Sequence, residues 1–540
     1  MRSRLELGFG TSPLTLVQAY ARALMSYPYD CTEQLASEAI SLIALYRAQR
    51  AGAPDVAPAD ARQRIERLVR AAGARQREDG GIGLWNARGW TSPWLTAYVG
   101  RTLLEARAAG IPVSDSVLAR AGRYVSRALH DPAQLAPVLG DRARETSWLL
   151  AERVAAADFL SRLGRPDVPA ENQLLGQAAR MAWEDRLALA EMLARRGARE
   201  PAGRLLDAAW AGVTVEGARA VLPATAYRER FYFASRVRPA ARLLAATLAL
   251  QPANPRLGAL VESIVQQSRA ESSYLWTTQD YAWAVLALTR YQQLVPRGAQ
   301  ERTVRVMQSG RVLAERRARQ TDGGLDSLRS LEGLVSTRPD GKKVLRVTLQ
   351  GVGAGGPVFY HLGVRERAAR PSFTPRDRGI AVERWYESVD TRRPLTSVAE
   401  GQVVRVRLRI TVPGERVMVV LDDPLPAGLE AVDLSLRTVS PFAPDVLAPE
   451  TEPGADAGSW LFGSWDAGMW SPFDHTEIRD DRVVYFARTL WRGSYNATYL
   501  ARATTAGRFT MAPAHAEEMY NPGVHGRSGG GAFVVTRAAP

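Results

Sequence analysis

Cysteine and lysine are nearly absent from this sequence. Cys31 is the single cysteine in 540 residues, so no disulfide can form within the chain and a metal site built from several cysteines is excluded. Lys342 and Lys343 are the only lysines among 70 basic residues, and arginine therefore carries almost all of the net charge of +14. The arginines are interspersed with acidic residues, and no nucleic-acid motif accompanies them. The charge does not predict nucleic-acid binding.

Long hydrophobic runs are absent as well. No stretch approaches the ~20 apolar residues that cross a bilayer. Residues 1–7 have no apolar core behind their charges and predict no signal peptide. We therefore expect either a cytosolic protein or a part of a longer exported one.

Before about residue 297, apolar residues recur at three- and four-residue spacing between short Gly/Pro loops, which predicts helices. The predicted helices span 12–25, 31–49, 59–74, 93–109, 114–129, 145–163, 181–196, 203–210, 239–250, 255–267 and 278–293. So many helices with short connections predict stacked antiparallel hairpins. An α/α toroid is their natural closed form, although the spacing alone does not prove closure.

After residue 297 the apolar spacing changes to two, which predicts strands that begin near residues 303, 344, 358, 381, 403, 417, 483 and 495. Apolar residues and arginines alternate over 403–412, which predicts one solvated face. Residues 370–375 fit a linker between two β domains. The segment 440–473 is a long loop ending in aromatic residues, which either dock onto something or close the base of their own sandwich: Trp460, Phe462, Trp465, Trp470 and Phe473.

The most informative stretch is Tyr27-Pro-Tyr-Asp-Cys-Thr-Glu-Gln34. Asp30 can act as the N-cap of a helix, with Glu33 completing a capping box. Cys31 and Gln34 then share one helical face, with β-carbons about 5–6 Å apart. A thiolate, favoured at a helix N-terminus, could attack the Gln34 carboxamide and expel ammonia. The spacing alone fits equally a cysteine that is only a small buried hydrophobic residue.

This octet resembles the thioester signature of the alpha-2-macroglobulin and complement family, Tyr-Pro-x-Gly-Cys-x-Glu-Gln, with Asp30 where the family usually has glycine. Residues 79–85, 93–99 and 276–285 resemble later helices of the family's thioester domain. Residues 422–428, 479–483 and 512–527 resemble the final macroglobulin-type domain of bacterial members. These similarities follow the order found in the family and cover nearly the whole chain.

The resemblance implies a multidomain α + β fold. Residues 1–296 would form an α/α-toroid thioester domain, 297–371 part of a CUB-like β domain, and 372–540 a macroglobulin-type β-sandwich. The first half of the split β domain would be missing, unless residues 5–9 are its last strand.

The resemblance also implies a function, since members of this family are protease traps. The chain would be the C-terminal part of a bacterial alpha-2-macroglobulin, in which a lysine amine of a protease attacks the thioester. Cys31 would be the leaving thiol, and the Gln34 carbonyl would become the acyl group. This single-use reaction is not enzymatic turnover and needs neither a cofactor nor a metal.

Four residues are candidates for excluding water from the thioester. Tyr27 and Tyr29 flank the site in sequence. Met519 and Tyr520 would form the opposing lid, although ordinary packing within their own domain explains them equally well. Some complement-like members use a histidine to redirect the acyl group. His130 lies in the corresponding region, but its surroundings fit a residue at a helix end better, and direct attack by amines is then expected.

The implied location is the periplasm or cell envelope of a Gram-negative bacterium. The implied partners are proteases, upstream macroglobulin domains of the full-length protein and, as in some members, a penicillin-binding protein.

Three alternatives remain at the level of sequence. A structural or adhesive envelope protein could have kept the fold and lost the thioester. A toroidal glycoside hydrolase or terpenoid cyclase would need paired carboxylates, whereas Asp280 and Glu145 are unpaired in sequence. A cysteine transferase would need a positioned base beside Cys31, and the sequence indicates no histidine for this role.

Overall fold

The computed structural model describes residues 4–52, 57–131, 135, 146–226, 231–269, 276–293, 302–308, 311–318, 325–328, 335–337, 343–345, 348–352, 358–365, 373–433 and 472–538. The chain divides into two compact units. The first comprises Met1–Glu229 and Ser235–Ala369, and the second comprises Arg230–Ala234 and Arg370–Pro540. Within the described ranges, no helix is both long enough and apolar enough to cross a membrane.

The described part of the first unit contains twelve α-helices. They are α1 (Leu14–Met25), α2 (Thr32–Arg50), α3 (Ala61–Ala74), α4 (Pro93–Ala108), α5 (Asp115–His130), α6 (Thr146–Arg162), α7 (Val168–Gly176), α8 (Trp183–Arg195), α9 (Arg199–Ala211), α10 (Arg238–Leu250), α11 (Leu257–Arg269) and α12 (Thr278–Gln292). Eleven of them confirm predicted helices. The sequence does not predict α7, because nine residues are too few for the periodicity to show.

The even-numbered helices form a closed inner ring. Each contacts the next, from α2 through α4, α6, α8 and α10 to α12, and α12 returns to α2. Each odd-numbered helix lies outside the ring against one or two inner helices. The helices are thus arranged as the α/α toroid that the sequence predicts. Because inner and outer helices alternate along the chain, the inner helices all begin at one end of the ring.

The burial patterns explain which helices lie inside. In α2, fourteen consecutive residues, 32–45, are buried, so the helix is covered on every face. In the outer helix α5, burial follows a single stripe, as expected for an amphipathic helix: Leu118, Ala121, Gly122, Val125, Ala128 and Leu129.

The first unit also contains ten described strands. They are β1 (Arg4–Gly10), β2 (Thr214–Glu216), β3 (Arg219–Val221), β4 (Arg302–Gln308), β5 (Arg311–Ala318), β6 (Leu325–Leu328), β7 (Val335–Thr337), β8 (Lys343–Leu345), β9 (Thr348–Val352) and β10 (Phe359–Arg365). β1 lies between β10 and β6, and β4 lies between β5 and β9. Leu7 and Phe9 of β1 share a core with Val304 and Val306 of β4. Residues 5–9 therefore belong to the β domain, the alternative left open above, and not to a helical domain over 1–296.

The second unit contains thirteen described strands. They are β11 (Arg376–Arg378), β12 (Ala381–Ser388), β13 (Ser397–Ala399), β14 (Val403–Val412), β15 (Arg416–Pro424), β16 (Leu429–Ala431), β17 (His475–Ile478), β18 (Arg482–Leu490), β19 (Gly493–Ala503), β20 (Gly507–Met511), β21 (His515–Glu518), β22 (Asn521–Arg527) and β23 (Gly531–Thr536).

These strands form a β-sandwich. One sheet has the order β11-β22-β21-β15-β18-β17, and another has the order β12-β14-β19-β16. Leu408 and Ile410 of β14 share one hydrophobic core with Val419 and Leu421 of β15, so the two sheets pack face to face. A third sheet, β13-β23-β20, contributes Phe533 to the same core.

The solvated face predicted for 403–412 is only partly present. Arg405 has 2% of its surface exposed, and its Nη1 lies 3.2 Å from Oε2 of Glu387 on the neighbouring strand. The alternation correctly places Val404, Val406 and Leu408 in the core. It is wrong for Arg405, because a cross-strand carboxylate allows this guanidinium to be buried.

The long aromatic loop lies mostly outside the described residues, which resume at residue 472. Its last aromatic residue, Phe473, packs against Tyr485 with ring centroids 5.1 Å apart. For Phe473, the interpretation as a residue that closes its own sandwich is correct.

Candidate functional site

The beginning of α2 brings the two predicted thioester residues together. Cys31 is the N-cap residue, with an extended backbone (φ −62°, ψ 160°), and Gln34 is the third residue of the helix. The backbone N–H of Cys31 donates a hydrogen bond to Oε1 of Gln34 at 2.9 Å. The Cys31 side chain faces the backbone N–H of Gln34. Both side chains therefore fold over the same first turn, with only 1% and 3% of the residue surfaces exposed.

This geometry suits an attack by sulfur on the amide. A backbone N–H aimed at Oε1 polarises the carbonyl and would stabilise the negative charge that develops on the oxygen during attack. Cys31 lies at the positive end of the helix dipole. An approach of Sγ of Cys31 to Cδ of Gln34 on this turn would close a ring between the two side chains.

The predicted capping pattern is wrong by one residue. Cys31 is the N-cap instead of Asp30, and Gln34 instead of Glu33 is the capping-box partner. The reason is that Glu33 is completely buried and bound to other side chains. It cannot reach back to the start of the helix.

The Asp30 side chain reaches the surface beside Arg67 of α3. About half of its side chain is exposed, and its Oδ2 lies 3.5 Å from Nη1 of Arg67. Among the described non-glycine residues, only Arg392 and Met418 have a positive φ. Position 30 is therefore not in the left-handed region that favours glycine, and the backbone accommodates an aspartate here.

Glu33 joins the first turns of two neighbouring inner helices. Its carboxylate accepts hydrogen bonds from Ser37 Oγ at 2.5 Å, Gln279 Nε2 at 2.6 Å and Thr278 Oγ1 at 2.9 Å. Ser37 also shares a hydrogen bond of 2.9 Å with the hydroxyl of Tyr98. Burial, reinforced by the negative charge of Glu33, raises the pKa of Tyr98. The phenol therefore stays protonated within the network.

The network continues from Gln279 to two further helices. Oε1 of Gln279 accepts from Nη1 of Arg238 at 3.2 Å and from Nε1 of Trp283 at 3.0 Å. Arg238 is almost completely buried and pairs with Glu184 through two hydrogen bonds of 2.9 Å each. The helix that carries Cys31 and Gln34 is thereby linked to α12, α10 and α8.

The carboxylate of Asp280 has a structural role at the start of α12. Its Oδ2 accepts from the backbone N–H of Thr277 at 3.0 Å, which completes a capping box, and its Oδ1 accepts from Ser235 Oγ at 2.7 Å. An acid bound in this way is poorly placed for the hydrolase chemistry weighed from the sequence. Glu145, the other acid weighed, lies outside the described residues.

The glycine-rich segment 79–85 covers the beginning of α2. The backbone N–H of Thr32 donates to the carbonyl oxygen of Leu84 at 2.8 Å, and the Thr32 hydroxyl donates to that of Gly83 at 2.7 Å. A β-carbon at Gly83 would lie 1.9 Å from the carbonyl oxygen of Asn86. Only glycine allows this close approach, so the segment resembling the family motif is part of the site.

Tyr27 and Tyr29 lie immediately before Cys31. Tyr29 is buried with 5% of its surface exposed, and its ring meets that of Tyr27 edge to face at 5.6 Å. Their predicted shielding role stays a prediction, and their aromatic contact gives that part of the chain a defined shape.

Met519 and Tyr520 connect β21 and β22 in the second unit. Both are buried, and the backbone N–H of Met519 donates to the carbonyl oxygen of Met418 at 2.9 Å. Tyr520 packs edge to face against Phe233, which belongs to the same unit, at 5.1 Å. The lid over the thioester stays a prediction.

His130 is the last residue of α5. Its Nε2 lies 2.7 Å from Oδ2 of Asp167, and 60% of its side chain is exposed. The helix-end interpretation describes this position, and the acyl-transfer role stays a prediction.

Sequence reasoning missed the polar residues that surround Glu33. Thr278 and Gln279 lie in a segment quoted only for its family resemblance. Two polar side chains at the start of an otherwise apolar helix were a usable signal. Their partner could not be predicted, because nearly 250 residues separate them from Glu33 along the chain.

Comparisons with known proteins agree with this site and fold. A sequence profile described as the bacterial alpha-2-macroglobulin MG10 domain matches residues 379–523. An alpha-2-macroglobulin homolog of Yersinia pestis is 26% identical over 97% of this chain, which covers 25% of that protein. Alpha-2-macroglobulin of Xylella fastidiosa strain Temecula1 is 27% identical over 96% of this chain, which covers 30% of that protein.

Together these matches show that the chain is similar to bacterial alpha-2-macroglobulins over nearly its whole length, and to their MG10 domain over residues 379–523.

Solved structures of alpha-2-macroglobulins share the fold. The crystal structure of Salmonella alpha-2-macroglobulin reacted with methylamine matches with a TM-score of 0.75 at 20% identity. The match includes 99% of this chain and 32% of the Salmonella chain. Native Escherichia coli alpha-2-macroglobulin from domain MG7 to the C-terminus has a TM-score of 0.72 at 21% identity, covering 99% and 78%. The chain spans 25–30% of the length of the two curated alpha-2-macroglobulins above.

Proposed function

We propose that Cys31 and Gln34 form an internal thioester, and that this chain is the part of a protease inhibitor that binds proteases covalently. The observation that carries the proposal is the buried first turn of α2. There, the Cys31 side chain and the Gln34 carboxamide lie together, and a backbone N–H is bound to the carbonyl oxygen.

The proposed chemistry has two steps. In the first, the thiol of Cys31 attacks Cδ of Gln34, the C–N bond breaks, and nitrogen leaves as ammonia with the thiol proton. In the second, a primary amine attacks the same carbon, the C–S bond breaks, and Cys31 recovers its proton as a free thiol. The amine ends in a stable amide with the former Gln34 side chain, so each chain reacts once.

Burial supports the first step and delays a competing reaction. Water would hydrolyse the thioester and leave glutamate at position 34. Cys31, Gln34 and Tyr29 each have 5% or less of their surface exposed. A site that excludes water in this way preserves a reactive acyl group until a change of conformation exposes it.

The family comparison supports the amine as the second reactant. The Salmonella alpha-2-macroglobulin with a similar fold has been crystallised after reaction with methylamine, a small primary amine. Lysine amines on a protease are the corresponding groups in our proposal. The periplasm is the proposed location, and macroglobulin domains of a longer protein are the proposed neighbours of this chain.

Titration of free thiol tests the proposal. In amine-free buffer, the intact chain should show almost no reactive thiol, and methylamine should release one thiol per chain. Cys31→Ser should release none, and Gln34→Ala should show its thiol from the beginning. A lysine-bearing protease that also opens the buried site should give a conjugate with the wild-type chain that survives denaturing electrophoresis, whereas Cys31→Ser should give none.

A thiol that is fully reactive before methylamine is added, with Gln34 still an amide by peptide mapping, would contradict the proposal. It would favour a structural or adhesive protein that has kept the fold without the bond.

A further inference from the structure

The backbone on both sides of Cys31 is held by hydrogen bonds. In the peptide plane that follows Cys31, its carbonyl oxygen accepts from the backbone N–H of Leu35 at 3.0 Å. At the other end of this plane, the N–H of Thr32 donates to the carbonyl oxygen of Leu84 at 2.8 Å. These two contacts join the plane to α2 and to the glycine-rich segment 79–85.

The peptide plane that precedes Cys31 is bound by a charged side chain. The carbonyl oxygen of Asp30 accepts from Nη1 of Arg75 at 2.9 Å. At the opposite end of the same plane, the N–H of Cys31 donates to Oε1 of Gln34 at 2.9 Å. This peptide is trans, so its C=O and N–H point in opposite directions. Two hydrogen bonds in sequence therefore connect Arg75, through one peptide group, to the carbonyl oxygen of Gln34.

Arg75 directly follows α3, and its backbone and side chain both contribute to its position. Its N–H donates to the carbonyl oxygen of Ala71 at 2.9 Å, and its carbonyl oxygen accepts from the N–H of Gly83 at 2.9 Å. Nη1 also donates to Oγ1 of Thr32 at 3.0 Å. The guanidinium thus binds the residue before Cys31 and the residue after it.

A cation at one end of a peptide group affects the other end. Hydrogen bonds from charged donors are roughly twice as strong as neutral ones, and bonds in a chain strengthen one another by about 10–30% each. The bond from Arg75 draws electron density towards the carbonyl oxygen of Asp30, which makes the N–H of Cys31 a stronger donor. A stronger donor better stabilises the negative charge that develops on Oε1 when Cδ of Gln34 is attacked.

We propose that Arg75 is a positioning residue for both steps of the thioester chemistry. This inference rests on the proposed function, in which both steps place negative charge on the same carbonyl oxygen of residue 34. Sulfur attacks the carbonyl carbon when the ring closes, and a primary amine attacks it when the ring opens. In each step Arg75 acts through the peptide group between Asp30 and Cys31, which it orients and polarises.

Selective nitrogen-15 labelling of cysteine tests this role. Cys31 is the single cysteine of the sequence, so the labelled chain gives one backbone amide signal, from the N–H that binds Gln34. Arg75→Gln should move the proton resonance of this signal to a lower chemical shift, because a weaker hydrogen bond leaves the amide proton more shielded. Arg67→Gln is the matched control, since Nη1 of Arg67 lies 3.5 Å from the Asp30 carboxylate, which is not part of the peptide group. This change should move the signal far less.

The rate at which methylamine releases thiol separates positioning from structural support. Weaker stabilisation of the developing charge should slow release in Arg75→Gln by about tenfold, whereas Arg67→Gln should react like wild type. A turn that is only loosened would admit methylamine sooner and react faster. An unmoved Cys31 signal, or release of thiol that is not slowed, in a folded Arg75→Gln variant would overturn the proposal.

Arg75→Met covers the case in which Arg75→Gln does not fold, because its apolar side chain leaves no polar group without a partner. It carries the same expectations. In the wild-type chain, exchange of the Cys31 amide proton with solvent as fast as in the unfolded chain would overturn the proposal without any variant. Failure of the proposed function is a separate result. A wild-type chain of full sequence mass, with residue 34 still glutamine, would contradict the thioester whether or not the Cys31 signal moves in Arg75→Gln.

Discussion

Nε2 of Gln279 lies 2.6 Å from Oε1 of Glu33, so the first turns of α12 and α2 are joined by a hydrogen bond between buried side chains. Glu33 and Thr32 are the two residues between Cys31 and Gln34 in the sequence. The contact therefore fixes the turn on which the proposed thioester is built.

Removing the Glu33 carboxylate should destabilise the helical ring. Glu33→Ala leaves the donors of Ser37, Thr278 and Gln279 without their acceptor in a buried site. We expect the free energy of unfolding to fall by about 3 kcal/mol, measured by urea denaturation. Glu66→Ala breaks an exposed pair with Arg62 and should change it by less than about 1 kcal/mol. Equal stability of the two variants would show that the network does not hold the turn.

Replacing Gly83 should also destabilise the protein, because this position lies very close to a backbone oxygen. Gly83→Ala places a β-carbon 1.9 Å from a backbone oxygen that cannot move alone, so the segment 79–85 must shift away from Thr32. We expect a loss of about 2 kcal/mol or more and faster release of thiol by methylamine. Gly203→Ala is the matched control. Gly203 lies within α9 with nothing within 4 Å of an added β-carbon, so this change should stabilise by about 0.5–1 kcal/mol. A Gly83→Ala variant as stable as wild type would contradict the proposed packing.

Acid should weaken the ion pairs of Asp158 with Arg162 and Arg195. Burial disfavours the charged form of Asp158, but Arg162, Arg195 and Arg101 outweigh it and lower its pKa to about 2. An unfolded aspartate titrates near ~3.9. The stability from this shift is therefore fully present above the unfolded value and is lost as pH falls towards 2. Unfolding of Asp158→Asn, followed in urea, should depend less on pH between about 5 and 2 than that of wild type. Identical pH dependence would contradict this role for Asp158.

The sandwich of the second unit has its own buried pair. Nη1 of Arg384 lies 2.5 Å from Oδ1 of Asp423, and the hydroxyl of Tyr499 donates to Oδ2 at 2.8 Å. Arg384→Ala leaves a buried carboxylate without its cation, and we expect a loss of about 3–5 kcal/mol. Tyr499→Phe removes one hydrogen bond and should cost about 1–2 kcal/mol. Chemical denaturation of both variants measures these losses in the free energy of unfolding. A larger loss for Tyr499→Phe than for Arg384→Ala would show that the ion pair contributes little.

The regular part of the fold could be predicted because hydrophobic spacing repeats over several turns. This signal located eleven helices and the principal strands, including Val403–Val412. The same signal could not predict contacts between residues that are far apart in the sequence. The burial of Arg405 depends on Glu387 of the neighbouring strand, and the network around Glu33 depends on α12. Closure of the ring depends on the contact of α12 with α2, which no local pattern reveals.

The candidate site illustrates the same limit at a smaller scale. The octet 27–34 predicts that Cys31 and Gln34 lie together, and the structure places both on the first turn of α2, because the signature is local. It misplaced the N-cap, because Asp30 and Cys31 are both able to begin a helix and because Glu33, the capping-box partner of Asp30, is bound to Thr278 and Gln279 of α12. The fit of an aspartate at position 30 could be judged only from the backbone angles.

The intact mass of the chain, purified in the absence of amines, tests the thioester most directly. We predict a mass below that of the sequence by one ammonia, and a subsequent gain of one methylamine on treatment. Cys31→Ser should show its full sequence mass and gain nothing. A wild-type chain of full sequence mass, with residue 34 still glutamine by peptide mapping, would contradict the account.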